Sequence, residues 1–419
     1  MIHLLRLEWL KIRRARFTYV LLFLLLLTVA GYFFYIDTKE TKLHEAEAYV
    51  LSNVETSMGF VESTTEEIEQ NGGTDPNLEE VLVNAERQYE AFLLMNEGLE
   101  KKDWSLYWQG ELLNNSWQEE SKEEQLKEVL KSYLWPTPFT VFTMMDKMRW
   151  MEKRSIQPIF PTSSHTWRTL YDEQFDDPIA EEIVTSSSGV YSSSGFYFVY
   201  HLFNYGFGFF GLFFVLFFFA DILTKEGLDG NGPIQLLRTQ PISRMKFWIS
   251  KAVASMGGSI LLIGFTATIS LVLGSVFNRL GDWNYPILIY GPERTYSFLT
   301  LTSFLGKSLI LFSLVLALSF TCLFLFSILA NRTLLGIGLT VVFLVIGQLL
   351  TDQSMLLNWS HWLPFHYINV YPIVDGTYAV QYENENYTYL QAILSLSLST
   401  GILLAMTYLA GRLKKGVKV

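Results

Sequence analysis

Six apolar runs constrain this chain more than any other feature of its sequence. Each is 17 to 30 residues long and carries few charges, and about 20 residues of helix cross the hydrocarbon core of a bilayer. The sequence therefore predicts an all-α polytopic membrane protein with six transmembrane helices. The predicted spans are residues 17–36, 196–222, 248–277, 308–329, 334–350 and 389–410. The third is long enough to tilt or to include an interfacial turn.

Composition supports a membrane location. Half of the 419 residues are hydrophobic and only 17% are charged, whereas soluble domains carry about 25% charged residues. The single cysteine, Cys322, lies in the fourth run, so no internal disulfide is expected. The first run lacks a small-residue cleavage site and ends in aromatic residues, which indicates a retained helix rather than a cleaved signal peptide.

Lysine and arginine residues set the predicted orientation. Fifteen of them fall in segments 1–16, 223–251, 330–333 and 411–419, but the short loops 278–307 and 351–388 hold only Arg279, Arg294 and Lys307. Cytoplasmic loops carry the excess of positive charge. We therefore expect a multi-pass protein of the plasma membrane. Both termini and the loops 223–247 and 330–333 should be cytoplasmic, and segments 37–195, 278–307 and 351–388 should be extracellular.

The first sixteen residues read as an amphipathic helix. Ile2, Leu5, Trp9 and Ile12 recur at spacings of three and four among basic residues. Such a helix can lie in the cytoplasmic headgroup layer with Trp9 at the interface. The alternative is that residues 1–16 simply begin the helix of the first span.

The two longer outer segments differ in character. Segment 37–195 holds 31 acidic and 13 basic residues, a net charge of −18. Its apolar spacing predicts a mostly helical extracellular domain, with an irregular stretch over 156–195. Its acidity is either a solvated surface or a device that attracts cationic peptides or metal ions. Segment 351–388 is dense in Trp and Tyr, which suits a position at the membrane interface.

The sequence offers no catalytic, cofactor or metal motif. Gly306-Lys307-Ser308 lacks the first glycine of a phosphate-binding loop. His361 and His366 are close in sequence but are interpreted as interfacial polar residues. No span has a charged residue near its centre, and secondary carriers use buried ionisable groups or unwound midplane helices. Transport should therefore be energised by a separate ATPase.

One cytoplasmic loop carries a resemblance to a known family. Residues 226–251, EGLDGNGPIQLLRTQPISRMKFWISK, resemble the signature of ABC-2 type permeases, the membrane subunits of ATP-binding cassette exporters. Segment 362–369, WLPFHYIN, with Asp375-Gly376 after it, is similar to a motif that precedes the last span in that family. The resemblance covers the membrane core but not residues 37–195, where a Gram-positive subset of the family carries a large insert. The matching loop residues are Glu226, Gly232, Leu236, Leu237, Pro241, Ser243, Arg244 and Lys251.

The resemblance implies an exporter subunit that does no chemistry of its own. A coupling helix would contact a cytoplasmic ABC ATPase dimer, which binds the ATP and Mg²⁺. A second permease, identical or related, would complete the complex in the lipid bilayer, and no nucleic acid is expected. Cargo would be amphipathic or hydrophobic, such as a peptide, lipid or antimicrobial, and would pass along the second and fifth spans. The residues expected to couple to the ATPase are Glu226, Gly232, Leu236, Leu237, Pro241 and Arg244.

Three other interpretations stay open. The loop could be an ordinary cytoplasmic hairpin fixed by its turn residues. The protein could be a sensor or immunity protein whose acidic extracellular domain captures a cationic peptide. It could also be a secondary carrier that needs no ATPase.

Overall fold

The chain forms two compact units in the computed structural model. The first, here called the membrane unit, comprises Met1–Phe33, Phe198–Phe277 and Thr302–Val419. The second comprises Phe34–Tyr197 and Asn278–Leu301 and is called the outer unit after its position predicted from the sequence. The structure describes residues 2–14, 16–70, 76–123, 133–162, 167–224, 244–330, 333–351 and 359–416. Most of these residues are helical, as the apolar periodicity predicts.

The membrane unit is built from long apolar helices. Its helices, with those that continue into the outer unit, are α1 (Ile2–Arg14), α2 (Arg16–Lys39), α8 (Gly195–Gly206), α9 (Phe209–Thr224), α10 (Arg244–Phe277), α11 (Leu301–Ala330), α12 (Thr333–Thr351), α13 (Tyr371–Val374), α14 (Thr377–Gln381) and α15 (Tyr389–Gly416). Among the described residues, α2, α10, α11 and α15 are long and apolar enough to cross a membrane. Helix α12 is apolar but shorter.

Helix α11 supplies much of the core of the membrane unit. Leu311, Val315 and Leu316 are fully buried, and so is Cys322. The buried hydroxyl group of Ser319 is satisfied within the helix, since it donates to the Val315 carbonyl at 2.8 Å. This arrangement keeps a polar side chain inside lipid or protein without an unpaired donor.

The third apolar run forms one continuous helix. Helix α10 extends over Arg244–Phe277, a length of about 50 Å at 1.5 Å per residue. The alternative of an interfacial turn in this run is therefore wrong. The helix begins at Arg244, within the predicted loop 223–247. No glycine or proline interrupts residues 244–256.

The outer unit is mainly helical. Its helices are α3 (Leu43–Gln70), α4 (Pro76–Lys101), α5 (Trp104–Glu123), α6 (Pro138–Glu152) and α7 (Pro178–Ser187). Helix α4 packs on α3 and α5, and α5 packs on α6. Glycines permit the close approach of α4 and α5: a Cβ at Gly98 would lie 2.6 Å from Tyr107 N, and one at Gly110 2.6 Å from Ala91 O.

Two features of the outer unit depart from the sequence-based expectations. Helix α7 lies within 156–195, which was expected to be irregular; Pro178 occupies its first turn and Asp177 caps it, accepting from Ile179 N at 2.9 Å. An antiparallel hairpin of β1 (Pro286–Tyr290) and β2 (Tyr296–Thr300) lies in segment 278–307, where no strand was predicted. Alternation of apolar and polar residues over five positions is a weak signal of a strand.

Candidate functional site

The signature loop lies mostly outside the described part of the chain. Glu226, Gly232, Leu236, Leu237 and Pro241 fall within 225–243, and the structure gives no account of them. Arg244 is the first residue of α10, where only its backbone is described. The proposed coupling role of these six residues stays a prediction. The structure does describe α10, the helix that follows the loop, and the helices that pack against α10.

A buried ion pair joins α1 to the start of α10. Glu8 and Lys251 are 2% and 3% exposed, and the Glu8 Oε1 to Lys251 Nζ distance is 3.9 Å. Lys11 Nζ lies 3.2 Å from the same oxygen. Removing one partner of a buried pair leaves an uncompensated charge, which costs about 3–5 kcal/mol. The pair therefore fixes how α1 packs against α10.

The face of α1 that packs against the protein includes only part of the apolar face that was predicted to lie in the headgroup layer. Ile12 is buried and Leu5 is half-buried, whereas Trp9, the predicted interfacial anchor, is 39% exposed. The centre of the packed face is Glu8, which lies between Leu5 and Ile12 at spacings of three and four. Glu8 was not singled out from the sequence. Its signal was an acidic residue on the apolar face of an otherwise basic segment.

The second apolar run is broken. Helices α8 and α9 meet at an angle of 77° within the predicted span 196–222. The run 196–222 was predicted to form one transmembrane helix, whereas the structure divides it into α8 and α9. Three glycines surround the break: a Cβ at Gly211 would lie 1.8 Å from Gly206 O, and one at Gly208 would lie 2.9 Å from Asn369 Oδ1.

The segment before the last span stabilises this break. Val370 N donates to Phe207 O at 3.0 Å, which satisfies a carbonyl that a continuous helix would have paired internally. Tyr371 OH donates to Tyr200 O at 3.1 Å, and its ring packs edge-on against Phe304 with centroids 4.8 Å apart. The break is therefore held by tertiary contacts as well as by glycine.

Part of the aromatic segment 351–388 is buried in the protein. Tyr367 is fully buried and donates to His361 O at 2.5 Å. His366, expected to be an interfacial polar residue, is also fully buried, and its Nδ1 lies 2.5 Å from Tyr387 OH. Trp359, at 70% exposed, does fit the interfacial expectation. Hydrophobicity alone does not distinguish an aromatic side chain at the interface from one in a protein core.

The second family motif acquires a structural role in this segment. Asp375 Oδ1 accepts from Thr377 N at 2.9 Å, and burial raises the pKa of the Asp375 carboxyl to about 6. Gly376 adopts the left-handed conformation, with φ of 80°, which other residues adopt only at a cost. Asn369 Nδ2 donates to Tyr378 OH at 3.3 Å. These motif residues shape the turn before α14.

An apolar cavity of about 410 Å³ adjoins the broken span. Its two threonines offer little to a polar ligand, because Thr28 and Thr266 hydroxyls donate to carbonyls of their own helices at 2.9 Å. Helices α2, α8, α9 and α10 and Phe312 of α11 form its walls. Prominent among the lining residues are Val29, Tyr32, Phe203, Phe207, Phe210 and Leu262.

The described residues contain no cluster that suits a metal ion. No group of three or more His, Cys, Asp or Glu side chains is close enough to hold one within the described ranges. His361 and His366 lie near each other in sequence, but His366 is engaged with Tyr387.

The long apolar helices define the class as a polytopic α-helical membrane protein. The family model for the ABC-2 family transporter protein matches residues 2–411. The chain belongs to this family, and it is a membrane component rather than a catalytic subunit. No curated protein and no solved structure matches the chain.

Proposed function

We propose that the chain is the permease subunit of an ABC-2 type exporter, driven by a separate cytoplasmic ATPase dimer that binds the ATP and Mg²⁺. The observation that carries this proposal, beside the family membership, is the connection of the signature loop to α10. The last signature residues, from Arg244 to Lys251, begin a 34-residue helix. A displacement of the loop would be transmitted along that helix, since a packed helix moves as a rigid body.

The buried Glu8–Lys251 pair extends this connection to α1. Lys251 lies seven residues into α10, two helical turns beyond Arg244. Because the pair ties α1 to that position, the N-terminal helix would move with α10 when the ATPase closes. The coupling unit then consists of the loop 223–247, α1 and the first turns of α10.

The apolar cavity supports an amphipathic or hydrophobic cargo. Its threonine hydroxyls are occupied, so binding there would rest on burial of apolar surface, at about 25 cal/mol per Å². A lipid, a hydrophobic peptide or an apolar antimicrobial meets this requirement. A second permease subunit would complete the translocation path, with export to the outside as the direction and drug resistance as one outcome.

Co-expression with a cognate ATPase tests the coupling role. We expect Glu226→Ala and Arg244→Glu each to reduce cargo-stimulated ATP hydrolysis or assembly at least fivefold. Lys414→Glu, a charge reversal in the cytoplasmic tail, should leave both unchanged. Full assembly and full ATPase stimulation in both loop variants would contradict the assigned role of the loop.

A second candidate function rests on the outer unit. Glutamates on α3 and α4 are exposed, among them Glu55, Glu66 and Glu80, and an acidic surface attracts cationic peptides. In this function the protein senses or neutralises such a peptide. Deletion of 45–190 should then abolish peptide binding while assembly with the ATPase persists. Retained binding and protection in the deletion variant would refute it.

A further inference from the structure

A second cavity, of about 290 Å³, lies within the outer unit. Neither the signature loop nor the apolar cavity includes it. Its walls hold charged groups of both signs together with aromatic rings, which is unlike the uniformly apolar cavity of the membrane unit. The lining residues that carry the argument are Trp104, Ser194, Tyr197, Arg279, Asp282 and Tyr285.

Arg279 contributes a guanidinium group that the protein leaves largely unused. Its Nη2 donates to Pro158 O at 2.9 Å, and no carboxylate oxygen lies within 4.0 Å of it among the described residues. A guanidinium has five N–H donors, and Arg279 lines the cavity. Burial lowers the pKa of Arg279 to about 10, and the group remains cationic at neutral pH.

The carboxylate that most favours the charge of Arg279 is Glu40, and it is bonded to other groups. Glu40 accepts from Ser192 Oγ at 3.0 Å and from Asn278 Nδ2 at 2.9 Å. It also lies 3.5 Å from Lys42 Nζ. Glu40 therefore stabilises Arg279 only at a distance and does not occupy its donors.

Asp282 contributes the opposite charge to the same cavity. Its Oδ1 accepts from Asn284 N at 2.7 Å, and no cation lies within 4.0 Å of it in the part of the chain that is described. Gly281 separates the two charged residues and has φ of +81°, a conformation that favours glycine. The resulting turn places Arg279 and Asp282 on one cavity without joining them in an ion pair.

The backbone around these charges is fixed. Gly195 N donates to Arg279 O and Phe196 N donates to Leu280 O, both at 2.9 Å. A Cβ at Gly281 would lie 3.0 Å from Ser194 Oγ. The cavity is therefore preorganised, which lowers the entropic cost of binding a ligand.

The position of the cavity along the chain indicates lipid headgroup depth. Arg279 follows the last residue of α10, Phe277, by two positions, and Ser194–Tyr197 lead into α8. At each of these two positions in the chain, an apolar run meets a segment that is predicted to be extracellular, 278–307 or 37–195. Headgroups with fixed charges occupy this zone of a bilayer.

We propose that this cavity binds a zwitterion that carries a phosphate and an ammonium group, as in the headgroup of a zwitterionic phospholipid. Arg279 would bind the phosphate through its free N–H donors, the geometry in which arginine recognises phosphate. Asp282 would bind the ammonium, and the ring of Trp104, which also lines the cavity, could add a cation–π contact. Binding here does not depend on the proposed coupling to an ATPase.

Calorimetric titration of the full chain, without ATPase, tests the proposal. The protein is placed in phosphatidylglycerol nanodiscs, which contain no zwitterionic lipid, and is titrated with sn-glycero-3-phosphoethanolamine. We expect this probe to bind at least tenfold more tightly than glycerol 3-phosphate or ethanolamine. Equal affinity for glycerol 3-phosphate, or the absence of saturable binding of the zwitterion, would overturn the proposal.

Two variants with matched controls assign the charges. Arg279→Gln should lower the affinity for sn-glycero-3-phosphoethanolamine at least tenfold. Asp282→Asn should remove the preference for this zwitterion over glycerol 3-phosphate. The exposed residues Arg168 and Asp176 supply the controls, Arg168→Gln and Asp176→Asn, which should bind as wild type. Wild-type affinity in Arg279→Gln would refute the site. If that variant does not fold, the affinities of the wild-type protein for the zwitterion, for glycerol 3-phosphate and for ethanolamine still test the proposal.

A change of lipid distinguishes the source of the zwitterion. In phosphatidylethanolamine nanodiscs, a lipid-occupied site should weaken the apparent affinity for the soluble probe at least tenfold. Unchanged affinity with retained selectivity would support the site and assign a soluble zwitterion as its ligand. Because no ATPase is present, failure of this experiment leaves the proposed transport function untouched.

Discussion

Replacement of Glu111 by glutamine should stabilise the outer unit at alkaline pH. Glu111 lies on α5 and is 4% exposed. Tyr107 OH donates to its Oε1 at 2.9 Å, and the Thr162 hydroxyl donates to the same oxygen. Tyr107 and Trp108 beside it are also buried. The carboxyl group is thus held by two neutral hydroxyl donors.

The magnitude follows from the pKa of this carboxyl group. Burial raises the pKa of Glu111 from 4.5 to about 7, although the Tyr107 and Thr162 hydrogen bonds act in the opposite direction. Each pKa unit corresponds to about 1.4 kcal/mol. The ionised side chain therefore destabilises the fold by about 3 kcal/mol above pH 7.

The direction of the pH dependence is fixed by the sign of this shift. Below pH 4.5 the carboxyl is protonated in both the folded and unfolded states, and it contributes no difference. Between pH 4.5 and 7 the folded state binds the proton more tightly, so stability falls as the pH rises. Glutamine keeps an acceptor for Tyr107 and Thr162 but has no charge to bury. The variant should lose this part of the pH dependence.

Hydrogen exchange on the full chain in detergent measures this effect locally. We expect peptides covering 104–112 to open with a free energy that is about 3 kcal/mol higher in Glu111→Gln than in wild type at pH 8. At pH 5 the difference should be below about 1 kcal/mol. Glu86→Gln, on the exposed face of α4, is the control and should exchange as wild type. A variant that is no more protected at pH 8 would refute the reasoning.

Three further predictions concern other buried contacts. Lys251→Met should destabilise the membrane unit by about 3–5 kcal/mol, because it leaves Glu8 buried with less compensation; thermal unfolding should show that adding Glu8→Gln restores most of the loss. Gly211→Ala should cost about 1–3 kcal/mol in the same assay, because its Cβ would overlap Gly206 O, whereas Gly401→Ala, with open space around it, should not destabilise. Asp172→Asn should lower the protection of α6 by about 3 kcal/mol in hydrogen exchange, because Asp172 accepts from Thr137 N at 2.9 Å and Thr169 N at 2.7 Å; full protection would contradict this role.

The membrane helices were predictable because hydropathy is a local property. The runs 17–36 and 389–410 correspond to α2 (Arg16–Lys39) and α15 (Tyr389–Gly416) within a few residues at most ends. Lipid solvates the side chains of such a run directly, so composition over about 20 residues decides whether it forms a spanning helix. The family could also be reached from the sequence, because the loop residues 226–251 stand in a recognisable order.

The features of the candidate site that were missed depend on residues far apart in the chain. The apolar content of 196–222 gave no sign of a break, because the break depends on Val370 N pairing with Phe207 O. Nor did the spacing of α1 reveal that Glu8 faces inward, since its counter-charge, Lys251, comes from another helix. A hydropathy scale assigns a transfer free energy to each residue separately, whereas the free-energy cost of burying a charge depends on its partner.

By itself, the sequence determined that this protein spans a membrane with helices, that its N-terminal segment is a basic helix, and that its signature belongs to the ABC-2 family. Hydrophobic transfer and helical periodicity act over a few turns, so they can be read from neighbouring residues. Only the tertiary structure decided that the second span bends by 77°, that His366 is buried, and that Arg279 and Asp282 share a cavity. Each of these results from hydrogen bonds and packing between segments that meet only once the chain has folded.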